Sequence, residues 1–537
     1  MSRTFVTTWK IATHSHTPAA ATERIRALCG TLDVFAAQDS HLFSPLPSWW
    51  PENTLAHLLR RVPSWWVQQS FPIDQTALLI HPPGEHMATI PNIAWGKHLA
   101  GEPPAHLPVV RQHMDAPQRR EINPFATTVY KNRRVVYGLR RTDRRRHLYV
   151  IGKTGTGKST LLANMAINDL KHGEGLCVID PHGDLVETLL DYIPSRRIND
   201  VIYIDPSDSQ STVRLNLFEG ENVVHRELIA SAIISVFRKL YGYSWGPRLE
   251  HILRNALLTL LKTENARLSD IADLLTNPDF RRQIVGKLDD PILKNFWVNE
   301  FDRMQERLRT EAIAPVLNKV GQFVTSPLVR DVVNTRKSSV SIEQAMNAGK
   351  IVLVNLSQGK LGEDNATLLG AMLITKIQLA AMARVHQPEE QRRDFYLYVD
   401  EFQNFATESF SKILSEARKY RLNLILANQY IAQIPVDVQK AIFGNCGSVI
   451  AFVMGAEDAK VFSSEFSNQY AAEELVGLQR HQIINRMSID NIISEAFPAT
   501  SLPLARSSNQ NRAKVIQVSK ERYARKREST RMAPSSA

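Results

Sequence analysis

Leu148-Tyr-Val-Ile151-Gly-Lys-Thr-Gly-Thr-Gly157-Lys158-Ser159 is the stretch on which the fold is decided. Four apolar residues, Leu148–Ile151, run into a glycine-rich turn of the form GxxxxGK[ST]. Leu161, Leu162, Met165, Ala166 and Leu170 then follow at helical spacing. Strand, loop and helix in that order put the loop at a helix N-terminus, where unpaired N–H groups and the positive end of the dipole favour an anion. Glycines let successive N–H groups curl around an anionic oxygen without Cβ clashes. Gly152, Lys153, Thr154, Gly155, Thr156, Gly157, Lys158, Ser159 and Thr160 therefore form the candidate nucleotide cradle. Lys158 is placed to neutralise β- and γ-phosphates and the Ser159 hydroxyl to reach Mg²⁺, while Thr160 reads as the next helix residue.

Outward from this motif, short apolar runs alternate with helical patterns. The runs are Leu148–Ile151, Leu176–Ile179, Val201–Ile204, Ile351–Leu356, Phe395–Val399, Leu422–Ala427 and Val449–Val453. Unbroken Val/Ile/Leu runs between helices predict a mostly parallel sheet buried on both faces, hence an α/β fold. Between Val223 and Gly349 only helical periodicity occurs, as in Leu249, Ile252, Leu253, Ala256, Leu257 and Leu260. An all-helical insertion is thus expected over 221–349, inside a motor domain made of 131–220 and 350–503. Residues 1–70 read as a small α/β module, strand-like over Phe5–Ala12 and helical over Ala20–Leu32. Residues 71–130 read as an irregular proline-rich connection, and 504–537 as a basic, disordered tail. Pro-Ser-Trp-Trp recurs at Pro47–Trp50 and Pro63–Trp66, a pair that fits either aromatic packing or ligand stacking.

A phosphate cradle binds; hydrolysis needs acids. Phe395-Tyr-Leu-Tyr-Val399-Asp400-Glu401 supplies two at the end of an apolar strand. Asp400 suits the water shell of Mg²⁺, and Glu401 suits the orientation and deprotonation of an attacking water. The competing acid is Asp180, which ends Leu176–Ile179 but lacks a following carboxylate. Downstream, Glu408–Arg421 reads as a helix whose apolar stripe is Phe410, Ile413, Leu414 and Ala417. Arg418 falls beside that stripe, where it could project from a subunit edge. The strand Leu422–Ala427 ends in Asn428-Gln429. An amide at Gln429 either bonds a γ-phosphate or lytic water, or is a plain polar strand end.

The 537 residues are 43% hydrophobic and 22% charged, which excludes a largely disordered chain and suggests three or four structural units. No stretch approaches 18 uninterrupted apolar residues, so no spanning helix is expected; Leu228–Phe237 and Leu368–Thr375 read as buried helices. The N-terminus lacks a signal-peptide pattern. Cys29, Cys177 and Cys446 lie too far apart for a disulfide framework or zinc site, which fits a cytoplasmic protein. Positive charge is concentrated. Lys131–His147 holds eight Lys/Arg against Asp143, and Arg506–Arg531 holds nine against Glu521 and Glu528, so together they exceed the net +11 of the whole chain. Each run is either a solvated linker or a phosphate-tracking surface.

Ile151-Gly-Lys-Thr-Gly-Thr-Gly-Lys-Ser159, Asp180-Pro-His-Gly-Asp-Leu185, Val399-Asp-Glu-Phe-Gln403 and Leu426-Ala-Asn-Gln429, in that order, resemble the HerA/FtsK superfamily of hexameric DNA-pumping ATPases. Within it they look most like the type IV secretion coupling proteins of the TraD/TraG kind, over about residues 125–500. The resemblance implies a RecA-like motor that uses ATP and Mg²⁺. Lys158 and Ser159 would bind nucleotide and metal, Asp400 the metal, and Glu401 would be the catalytic base. Gln429 would be the γ-phosphate sensor, and Arg418 the arginine finger given to a neighbouring subunit, with Lys419 and Arg421 close by in sequence. It also implies a six-membered ring threading DNA without sequence readout. Candidate partners are a secretion channel, a relaxase or a nuclease, and partners would recruit the chain to the inner membrane. An ATP-driven DNA translocase is the leading expectation. The alternatives are an assembly or secretion ATPase whose client is a protein, and a non-hydrolysing switch, against which the Asp400-Glu401 pair stands.

Overall fold

A computed structural model describes residues 4–7, 17–31, 69–72, 101–130, 133–219, 223–407, 410–504, 506–507 and 509–527. The chain divides into two compact units, Met1–His98 and Leu99–Ala537. In the first, strand β1 (Thr4–Thr7) pairs antiparallel with β2 (Gln69–Pro72), Phe5 opposite Phe71. A helix spans Pro18–Thr31. Strand and helix thus begin where the sequence places them; both copies of Pro-Ser-Trp-Trp lie outside the described residues.

The second unit is built on one large sheet. Its strands in chain order are β3 (Ile122–Tyr130), β4 (Arg133–Arg140), β5 (Leu148–Ile151), β6 (Gly175–Asp180) and β7 (Val201–Ile204). The short β8 (Ser211–Val213) stands apart from that sheet. Then come β9 (Ile351–Asn355), β10 (Phe395–Val399), β11 (Leu422–Asn428), β12 (Ser448–Ala451) and β13 (Gln482–Arg486). The hairpin β14–β15 (Ser488–Ile489, Ile492–Ile493) precedes β16 (Phe497–Ser501). The spatial order is β4-β3-β16-β13-β12-β5-β11-β10-β6-β9-β7. From β12 to β7 every pairing is parallel. These seven strands are the seven apolar runs read from the sequence. Every residue of β5, β6, β9, β10, β11 and β12 is buried, as two helix-covered faces require.

Between β8 and β9 the chain is helical, beginning with Val223–Tyr241 and Pro247–Leu261. Leu249, Ile252, Leu253, Ala256, Leu257 and Leu260 are all buried, so the helical period read from sequence is the packing face. The helix Glu363–Met382 contains the apolar run Leu368–Thr375. With its continuation to His386 it is long and apolar enough to cross a membrane, yet 72% of that window is buried inside the protein. Here it is a core helix.

Three expectations need correction. First, the proline-rich connection ends in β3, which carries a β-bulge between Pro124 and Ala126. Proline lacks the N–H that a ladder needs, and the bulge absorbs that loss, so the strand is masked in sequence. Strands β13 and β16 lie outside the apolar runs as well, and with β3 and β4 they extend the sheet antiparallel.

Second, the basic C-terminal segment is not a disordered tail over 509–527. Arg512–Tyr523 forms a helix, and β17 (Ala524–Lys526) pairs antiparallel with β8, Ala524 opposite Val213. Val515 and Ser519, one turn apart, are buried, and the Tyr203 N–H donates to Ser519 Oγ at 2.7 Å. So few buried residues leave a weak helical signature. Three of its cations pair within the fold: Arg512 with Asp191 at 2.8 Å, Arg527 with Asp331 at 2.8 Å, and Lys520 with Asp208.

Third, the basic run before β5 is not a free phosphate-tracking surface. Arg144 is buried and forks onto Asp169 at 2.7 and 2.8 Å, stacked over the Tyr396 ring. Tyr398 and Asn123 complete the shell of Asp169. Arg145 forks onto Asp394, Arg141 bridges Glu174 and Asp394, and Arg140 pairs with Asp490. The run bolts the start of the sheet together at the end opposite the glycine-rich loop. Asp169→Ala should strand the buried Arg144 guanidinium and cost about 3–5 kcal/mol. Urea unfolding should show a lower midpoint, whereas Arg140→Ala, which breaks an exposed pair, should shift it little.

Candidate nucleotide site

The glycine-rich loop is pinned from both flanks before any ligand arrives. The Gly152 N–H donates to the Asn428 carbonyl at the end of β11, and the Lys153 N–H to the Val453 carbonyl just after β12. A Cβ on Gly157, whose φ is 121°, would sit 2.7 Å from His481 Nδ1. That position therefore needs glycine both for its backbone and for its neighbour. The His481 N–H also holds the Thr156 carbonyl at 3.0 Å. The helix Lys158–His172 begins at Gly157 with no side-chain cap, which leaves its first N–H groups facing the loop. Lys153, Thr154, Gly155 and Ser159 are exposed, Thr160 is half-buried, and Thr156 and Lys158 are buried.

Lys158 turns back on its own loop, donating to the Gly152 carbonyl at 2.6 Å and the Lys153 carbonyl at 3.2 Å. Burial lowers its ammonium below the usual lysine range, opposed by the carboxylates of Glu401 and Asp400. Both acids are thus close enough to act on it.

Strand order explains why. β11 pairs with β5 on one side and β10 on the other, so the chain ends of β5, β11 and β10 lie side by side. Ser159 Oγ donates to Asp400 Oδ2 at 3.0 Å. The Glu401 N–H holds Asp400 Oδ1 at 2.9 Å. Glu401 is buried and in the left-handed region, φ 45° and ψ 50°. For a non-glycine residue that conformation costs about 1 kcal/mol or more, a strain typical of functional positions. Gln429 Nε2 donates to Glu401 Oε1 at 2.9 Å, and Gln403 Nε2 to Glu401 Oε2 at 2.6 Å. Ser159, Asp400, Glu401 and Gln429, all named from sequence, therefore meet. Gln403 was not named as a site residue, although it sits two positions after Glu401 in the quoted motif. Nothing local in the sequence pointed to His481.

Asp180 is elsewhere engaged. Its carboxylate accepts from the N–H groups of His182, Leu185 and Val186, tying down the start of the helix Asp184–Leu190. A carboxylate so occupied is a structural cap. Arg418 is not brought to this chain's own site. It lies exposed in the turn before β11, while Gln429 follows the far end of that strand, about 20 Å away along an extended chain. Its guanidinium touches Asn491 Oδ1 at 3.4 Å.

The oxygen donors suit a hard divalent cation: Ser159 Oγ and Asp400 Oδ2 converge beside a phosphate-shaped cradle. The Asp400 carboxyl is pushed up to about 6, first by burial and then by the Glu401 and Asp180 carboxylates. Such a group carries a charge that wants a cation.

Residues 137–486 match the family model described as the type IV secretion-system coupling protein DNA-binding domain. The chain belongs to this family. The type 4 coupling protein DotL of Legionella pneumophila subsp. pneumophila (strain Philadelphia 1) is 22% identical over 348 residues, 53% of this chain and 44% of that protein. This chain thus spans less than half the length of that relative. The unbound conjugative coupling protein TrwBdeltaN70 matches with a TM-score of 0.52 at 17% identity, over 70% of this chain and 88% of that one. TrwB in complex with ADP and Mg²⁺ gives the same TM-score and identity, over 70% and 89%. The expected RecA-like α/β fold is the fold of these relatives.

Protonation of Asp400 should compete with metal. Its affinity for a Mg²⁺–nucleotide analogue, measured by calorimetry, should fall as pH drops below about 6 and be weak at every pH in Asp400→Asn. The sign for stability is opposite. A carboxyl raised from its ordinary 3.8 to about 6 penalises the ligand-free fold increasingly between those values and fully above them. Asp400→Asn should therefore melt higher than wild type at pH 7 and lose that advantage near pH 4.

Proposed function

We propose that this chain is the ATP-hydrolysing motor of a ring that moves DNA in type IV secretion. The observation that carries the proposal is the convergence of Ser159, Asp400, Glu401 and Gln429 at the end of three adjacent parallel strands. Relatives of the same fold have been solved with ADP and Mg²⁺ and with an ATP analogue, which supports the same ligands here. Loop N–H groups and Lys158 would hold the β- and γ-phosphates of ATP, releasing the Gly152 and Lys153 carbonyls that Lys158 now occupies. Ser159 and Asp400 would hold Mg²⁺. The metal, when bound, neutralises charge on the β- and γ-oxygens. Glu401 accepts a proton from the attacking water, and Gln429 reports the γ-phosphate along β11. Because Arg418 lies far from its own chain's Glu401, its place as a finger is in the site of the neighbouring protomer, which couples turnover to ring assembly.

The family model names a DNA-binding domain. Arg141, Arg144 and Arg145 of the first basic run and Arg512 and Arg527 of the second are engaged in internal ion pairs, so the main DNA contact lies with other groups lining a six-membered ring. Contact with phosphates would be largely independent of sequence. Partners of the secretion apparatus would hold the ring at the inner membrane. That same pairing of the basic runs favours, as second reading, an ATPase whose client is a protein.

ATP turnover measured with and without DNA separates the two readings, since stimulation by DNA of shuffled sequence is expected only of a DNA motor. Glu401→Gln should bind ATP normally and show no turnover. Arg418→Ala should bind ATP normally and turn over about 10³-fold more slowly. Normal turnover in Glu401→Gln would remove that residue from its role.

A further inference from the structure

The helical insertion reaches the catalytic loop through one side chain. Val223–Tyr241, the first helix after β8, carries Lys239 near its C-terminal end. The Lys239 ammonium donates to the Gln403 carbonyl and, at 2.9 Å, to the Ala406 carbonyl. Those carbonyls belong to the segment directly after Glu401. Gln403 in turn donates its side-chain amide to Glu401 Oε2, while Gln429 occupies Oε1. Two residues beyond Lys239 the helix ends and runs into the turn Gly242–Ser244, whose Tyr243 is 93% exposed. A segment open to a partner is thus joined by one helical turn to the clasp on the base.

The chemistry of the clasp gives it a direction. Two amide donors, one on each oxygen, fix the Glu401 carboxylate in one orientation. Freeing one oxygen lets the carboxylate swing.

We infer that Lys239 and Gln403 are positioning residues through which the helical insertion holds Glu401 at rest. DNA contact with the insertion displaces the end of its first helix, slackens the grip of Lys239 on residues 403–406 and releases Gln403 from the base. This inference rests on the ATPase reading proposed above.

The test compares kcat and KM for ATP, with and without duplex DNA, in the full chain. The set is wild type, Gln403→Ala, Gln403→Glu, Lys239→Met and Lys239→Arg. Gln403→Ala, Gln403→Glu and Lys239→Met should each raise kcat without DNA by about tenfold. The KM should stay unchanged and the stimulation by DNA should collapse, whereas Lys239→Arg, which keeps a cationic donor, should restore much of it. Melting temperature and affinity for an ATP analogue establish that each variant is folded; Gln403→Glu, which repels the base, serves where Gln403→Ala fails. Variants that lower both rates in proportion, or leave the stimulation ratio at the wild-type value, overturn the inference while the ATPase reading stands. Absence of any wild-type turnover overturns both.

Discussion

The parallel pairing of β11 between β5 and β10 is the constraint on which the site depends. Had β10 paired directly with β5, Asp400 would still lie near Ser159, but no amide would enter from between them. With β11 inserted, Gln429 emerges between the glycine-rich loop and the acid pair and reaches Glu401 at 2.9 Å. The pairing holds because all seven residues of β11 are buried, so the strand is covered on both faces and anchored on both edges. A buried polar residue in such a strand must find a partner: the Asn423 amide does so on Asp394. One strand thus sets the geometry at the nucleotide end and contributes to the ionic cluster at the other.

That cluster shows how the chain uses its positive charge. Arg141, Arg144 and Arg145 surround Asp169, Glu174 and Asp394: Arg144 and Arg145 each fork onto one carboxylate, and Arg141 bridges two, which offsets the cost of drawing the cations out of water. At the far edge of the sheet, the C-terminal helix lies against β7, and Arg527 ties residue 208 and Asp331 of the helical insertion together. Charge that looks like a nucleic-acid footprint in one dimension is here the mortar between elements distant in sequence.

Contact between the sheet and the helical insertion is correspondingly direct. Lys239 donates to the Gln403 and Ala406 carbonyls, in the loop that follows Glu401. The left-handed backbone at Glu401 makes the loop susceptible to a shift, since a strained residue relaxes when its surroundings let it.

The sequence alone determined the seven parallel strands, the helical stretch after β8, the glycine-rich loop at a helix start and the adjacent acids Asp400-Glu401 at a strand end. Each rests on a local rule: buried parallel strands are uniformly apolar, and a phosphate loop needs glycines at a helix start. Only the tertiary structure decided the order of those strands, the union of Gln403 and Gln429 on Glu401, and the use of Asp180 as a cap. It also decided which cations of the two basic runs pair inside the fold, Arg144 and Arg512 among them, and that residues 512–526 form a helix and strand. The reason is the same in each case: an ion pair, a capped helix or a paired edge depends on residues tens to hundreds of positions away, and no local pattern encodes which partner the fold will bring near.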